Sequence, residues 1–151
     1  MAARVAESYE CGAERLRETV AASCKPDAAF AEQVEAALRA TLALFAADPE
    51  LGRLLTVRPF EGGEEAIGCY LRWQRRCGDL LSAAAARDQA AYPHPPFVAP
   101  ALIAGICWRI SRRLQAQGAE HLEDLLPGLL EFVFVSYFGA QWADRLSAAH
   151  R

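Results

Sequence analysis

Few side chains in this 151-residue sequence could do chemistry, and their spacing is the first thing to test. There are five cysteines (Cys11, Cys24, Cys69, Cys77 and Cys107) and three histidines (His94, His121 and His150). Cys69 and Cys77 stand eight residues apart, roughly on one helix face, and with a histidine they could hold zinc or act as a redox pair. No histidine lies at metal-ligand spacing, and structural zinc wants four nitrogen or sulfur ligands. A thiol–imidazole nucleophile pair would need the fold to carry His94 or His121 to a cysteine, and nothing local supplies that. Glu64, Glu65 and Asp79 form no paired-carboxylate arrangement. The expectation is neither an enzyme nor a metal or cofactor protein. Two arginine clusters, Arg72/Arg75/Arg76 and Arg109/Arg112/Arg113, read as solvated faces, the second offsetting a helix dipole.

Two polar residues interrupt otherwise apolar helix faces: Thr41 and Gln74. A few placed polar groups in an apolar cavity orient a small ligand, and Phe45, Phe60, Tyr70, Trp73 and Cys77 could supply its walls. The competing reading is a packed core in which the two polar groups bond to backbone or to water.

The elements that must position these residues are helices. Apolar residues make up 53% of the chain, much of it alanine, and the strongest periodicity is helical. No strand alternation is visible, so the class is all-α, with about six helices in one domain. A first helix spans 3–24 and ends at Lys25-Pro26-Asp27. Asp27 is a candidate cap for a second helix running to about residue 47. Asp48-Pro49-Glu50 closes that helix and opens a short third one, with Asp48 as cap and Pro49 at the first position. Pro59, Gly62 and Gly63 mark a loop, a fourth helix covers 64–87, and the proline run 92–96 is an extended connector.

The stretch 97–138 reads as an apolar helical hairpin. Its first limb carries one stripe of Ile103, Ile106, Cys107, Ile110 and Leu114 and a second, smaller stripe of Ala101, Ala104, Gly105 and Trp108. Its second limb contains Phe132-Val133-Phe134-Val135, which leaves no side meant for water. Pro127 falls about one turn into that limb, where it would kink it. The limb is far shorter than the roughly 20 apolar residues a bilayer requires, so no membrane span is expected. A pair apolar both inside and outside points to a subunit interface, with Ala101, Ala104, Gly105, Trp108, Leu130, Phe134 and Tyr137 as its residues. An amphipathic tail is expected at 140–149.

The formal net charge of −3 argues against a bare nucleic-acid binder, which needs a basic face. An odd set of cysteines without CxxC pairs fits a reducing, cytoplasmic setting, and the N-terminus has no secretory pattern.

The order ESYECGAERLRETV, ALFAADPELGRLL, YLRWQRRCGDLL and ALIAGICWRISRRLQAQGAEHLEDLLPGLLEFVFVSYFG resembles the C-terminal ligand-binding and dimerisation region of bacterial tetracycline-repressor-like (TetR/AcrR) transcriptional regulators. The resemblance spans about 5–146. It implies a helical box for a small apolar or aromatic effector and a homodimer built from the last two long helices as a four-helix interface. The family's N-terminal helix-turn-helix reader has no counterpart in these residues, so direct DNA binding is not carried over. Two readings follow: the effector-sensing half of a regulator, or a stand-alone dimerisation protein that pairs with a full-length relative and binds no ligand.

Overall fold

The computed structural model describes residues 2–142. Six α-helices are present among them: α1 (Ala2–Ser23), α2 (Phe30–Ala47), α3 (Pro49–Thr56), α4 (Glu64–Ala86), α5 (Val98–Gln117) and α6 (Leu126–Phe138). Short 3-10 turns at Arg58–Phe60 and Leu122–Leu125 lead into α4 and α6, and the described residues contain no strand. The expected tail lies almost wholly outside the described residues. No helix among them is long and apolar enough to cross a membrane.

Helix boundaries follow local chemistry. The Asp48 carboxylate accepts the Leu51 amide at 3.2 Å and Pro49 occupies the first turn of α3, so one dipeptide ends α2 and starts α3. Gly118 (φ +68°) and Gly139 (φ +78°) stop α5 and α6 in left-handed conformations that cost glycine nothing. Two expectations are corrected. Asp27 does not cap α2, which begins only at Phe30; residues 25–29 form a turn held by Gln33, whose amide donates to the Lys25 and Pro26 carbonyls. Pro127 does not kink the second limb. It sits in the first turn of α6, where its missing N–H leaves no donor wasted, and the residues before it form the separate 3-10 turn.

The hairpin is the larger correction. α5 packs chiefly along α4 and α3, whereas α6 packs along α2. The two limbs meet around Gly105 and Phe132 rather than lying against each other along their length. One apolar core results, to which every helix contributes. Its α2–α6 end is aromatic, with Phe30 against Tyr137 at 5.2 Å between ring centroids and Phe138 stacked on Trp142 at 4.7 Å.

The proline-rich connector crosses the C-terminal end of α6. The Tyr92 amide donates to the Tyr137 carbonyl at 2.7 Å, and the His94 Nε2–H donates to the Ser136 carbonyl. These bonds satisfy two of the carbonyls that a helix end leaves without intrahelical partners.

Candidate functional site

Of the seven residues expected to line a ligand cavity, four gather in one place. On α4, Tyr70 and Trp73 lie 6.2 Å apart, Phe60 packs on Tyr70 at 5.1 Å, and the Gln74 amide donates to the Tyr70 hydroxyl at 3.2 Å. Cys77 continues the same helix one turn beyond Trp73. Sequence reasoning missed the fourth aromatic, Tyr9 of α1, which sits 6.2 Å from Trp73 and donates its hydroxyl to the Leu55 carbonyl at 3.0 Å. Its signal was available: Tyr9 is the one large aromatic on the inner face of the first helix, in step with Leu16.

This cluster is a packed interior. Tyr9 and Tyr70 are 2% and 6% exposed, and Phe60 caps the cluster from the solvent side. Burial holds the Tyr9 and Tyr70 phenols protonated far above the ordinary tyrosine range; in both cases the nearby Cys107 thiol adds to the effect. Thr41 and Phe45 lie elsewhere. The Thr41 hydroxyl donates to the Ala37 carbonyl one turn back on its own helix, at 2.7 Å, so it is already satisfied. Phe45 is fully buried where α2, α3 and α5 converge, and with Leu114 it closes over Gly52 so tightly that a Cβ there would meet both at 3.1 Å.

Concave space lies next to this cluster, on the surface. An open groove of about 660 Å³ runs between the N-terminal turns of α1, the end of α3 and the start of α4. Val5, Tyr9, Leu54 and Pro59 form its apolar floor, and Tyr9 is the wall it shares with the aromatic cluster. Arg4, Arg58 and Glu61 are its charged rim. Among the described residues no three histidine, cysteine, aspartate or glutamate side chains converge on a common point.

The expected interface residues separate into two groups. Ala101, Ala104, Gly105 and Trp108 do form an outward stripe on α5; Trp108 is 62% exposed and Ala101 is exposed. Leu130 is half-buried. Phe134 and Tyr137 point the other way, into the chain's own core at 2% and 3% exposure, where Phe30 and Trp142 pack on them. The outward residues of α6 are instead Phe132 and Val135, at 42% and 40%. Phe97, 70% exposed, extends the α5 stripe by one turn. Its place was readable, because 97, 101, 104 and 108 share helical i, i+4, i+7, i+11 spacing. The Phe132 ring lies directly over Gly105, where a Cβ would come within 2.8 Å of it. The stripe and Phe132 therefore make one continuous apolar face.

No protein-family model, no curated protein and no solved structure matches this chain.

Proposed function

We propose that this chain is a dimerising regulatory domain, comparable to the effector-sensing half of a TetR-like transcriptional regulator. One observation supports the reading above the others: the apolar face formed by Phe97, just before α5, and Ala101, Ala104, Gly105 and Trp108 of α5 with Phe132 and Val135 of α6. Solvated single apolar residues are ordinary, but a contiguous set that includes an exposed tryptophan marks an association surface. Small residues at 101 and 104 let a second helix approach closely, and the self-complementary solution is a two-fold pair. Nothing in the arrangement supplies a nucleophile with a base or an acid–base pair, so catalysis is not part of the reading. Nucleic-acid contact is not part of it either, given the acidic balance of the chain.

The experiment is sedimentation equilibrium or light scattering from about 1 to 100 µM. The expected species is twice the 16.5 kDa chain. Trp108→Glu and Phe132→Asp each weaken association by about 100-fold or more, because a symmetric pair loses the anchor twice, while far-UV circular dichroism stays helical. A wild-type monomer throughout that range, or dimers indifferent to both substitutions, overturns the proposal.

A second reading, an association module that binds no small molecule, is favoured by the tight packing of Tyr9, Tyr70 and Trp73, which leaves the predicted box filled. It differs from the first in whether the surface groove beside that box takes a ligand.

A further inference from the structure

We infer that the groove between α1, α3 and α4 is a binding site for a small monoanionic amphiphile, a molecule with a flat apolar body and one carboxylate. This rests on the sensing half of the function proposed above and gives it a location and a ligand class. The size suits such a molecule: about 660 Å³ falls within the range that drug-sized ligands occupy. Val5 and Leu54 supply an accessible apolar floor, backed by the buried Tyr9 and Pro59. Tyr9 is fixed in place by its bond to the Leu55 carbonyl, and its ring is held against Trp73, so that wall is preorganised.

The charge at the rim selects the headgroup. The rim carries two guanidinium groups, Arg4 and Arg58, and one carboxylate, Glu61. Arg4 has no ion-pair partner among the described residues. Arg58 pairs with Glu50 at 2.5 Å, but that carboxylate also holds Arg53 at 3.2 Å. Turning Arg58 toward a ligand therefore leaves Glu50 neutralised, and the surface pair it gives up is worth little. Guanidinium groups recognise carboxylates through paired N–H donors, and Ser8 adds a hydroxyl on the same side. The groove joins the first turns of α1 to α3 and to the loop before α4. An occupant would tie these elements together, as a ligand must if it is to prefer one arrangement over another.

The test is isothermal titration of the full chain with 2-naphthoate, its neutral amide 2-naphthamide, and 2-naphthylmethylammonium. Binding is expected for the carboxylate, at least about tenfold weaker for the amide and undetectable for the cation. Arg4→Ala and Arg58→Ala should each weaken naphthoate about tenfold, the loss typical of one charge-assisted pair. Leu54→Glu should abolish binding by placing an anion on the floor. NMR shifts should concentrate at Val5, Tyr9 and Leu54. Equal binding of carboxylate and amide, indifference of naphthoate to both arginine substitutions, or no binding of any probe at millimolar concentration overturns the assignment. Light scattering on the same samples keeps the two proposals apart: an intact dimer that ignores all three probes removes the ligand site and leaves the association face standing.

Discussion

Both the inward and the outward sides of α5 and α6 carry large apolar side chains, yet the two sets do different things. Inward, Ile106, Ile110 and Leu114 of α5 and Val133, Phe134 and Tyr137 of α6 are each less than a tenth exposed. Outward, Phe97, Trp108, Phe132 and Val135 are each at least 40% exposed. Residue type does not distinguish the two sides, since a phenylalanine stands on both, two positions apart at 132 and 134. What distinguishes them is which neighbour the rest of the chain provides: α2, α3 and α4 cover the inner side, and no described element covers the outer one. Apolar surface buried within a subunit stabilises folding, whereas the same surface left outside is available to stabilise association.

The most damaging way to probe that contrast is to truncate the inner side. Phe134→Ala should cost about 3–5 kcal/mol of folding stability in urea titrations, through lost burial and the cavity left among Phe138, Trp142 and the core. A charged residue at 134 would unfold the subunit and say nothing about association. Trp108→Ala should be the mirror image. Measured at protein concentrations low enough to hold the chain monomeric, it should change folding stability by no more than about 0.5 kcal/mol while lowering association strongly. If Trp108→Ala destabilised the monomer as much as Phe134→Ala, the distinction between the two sides would collapse.

A gentler probe uses neighbouring residues on α5, Cys107 facing in and Trp108 facing out. Burial, with a smaller contribution from the nearby Cys77 thiol, pushes the Cys107 thiol up to about 12, and burial takes Cys77 to about 11 despite Arg76 beside it. Both shifts are upward, so the fold favours the neutral thiols. The stability this contributes is complete below the ordinary thiol value of 9.0 and is lost as pH climbs through 11 to 12, because the unfolded chain sheds those protons first. At pH 8, a disulfide reagent should modify the exposed Cys11 at least about 100-fold faster than Cys107 or the fully buried Cys69, whose reaction waits on local opening. Comparable rates for Cys11 and Cys107 would place the inner face of α5 within reach of solvent.

The parts of this fold legible in the sequence are those set by punctuation. Asp48-Pro49, Gly118 and Gly139 fix helix ends because each imposes a local backbone requirement that no distant contact has to satisfy. The parts not legible are those set by partners. In α6, four apolar residues in succession remove the contrast between faces on which periodicity depends. The sequence therefore did not say that Phe134 turns in and Phe132 turns out. Adjacent apolar helices also invite a hairpin reading, whereas the 3-10 turn at Leu122–Leu125 redirects α6 onto α2. Tyr70, Trp73 and Gln74 could be grouped in advance because they lie on one helix at helical spacing, but they fill a packed cluster and none of them lines the groove. Thr41 misled because a threonine inside a helix can satisfy itself on its own backbone. The groove was invisible because its floor is drawn from α1, α3 and the turn after it, which are neighbours only once folded.

The bonds from Tyr92 and His94 to the last carbonyls of α6 have a consequence for how the molecule loosens. A stretch of loop whose side chains are largely exposed is nonetheless latched to a helix terminus more than forty residues further along. Neither partner can let go alone, so the α6 terminus cannot fray without freeing the loop. Deuterium should accordingly enter the Tyr92 amide on the slow clock of the helix, although everything visible around it suggests the fast one.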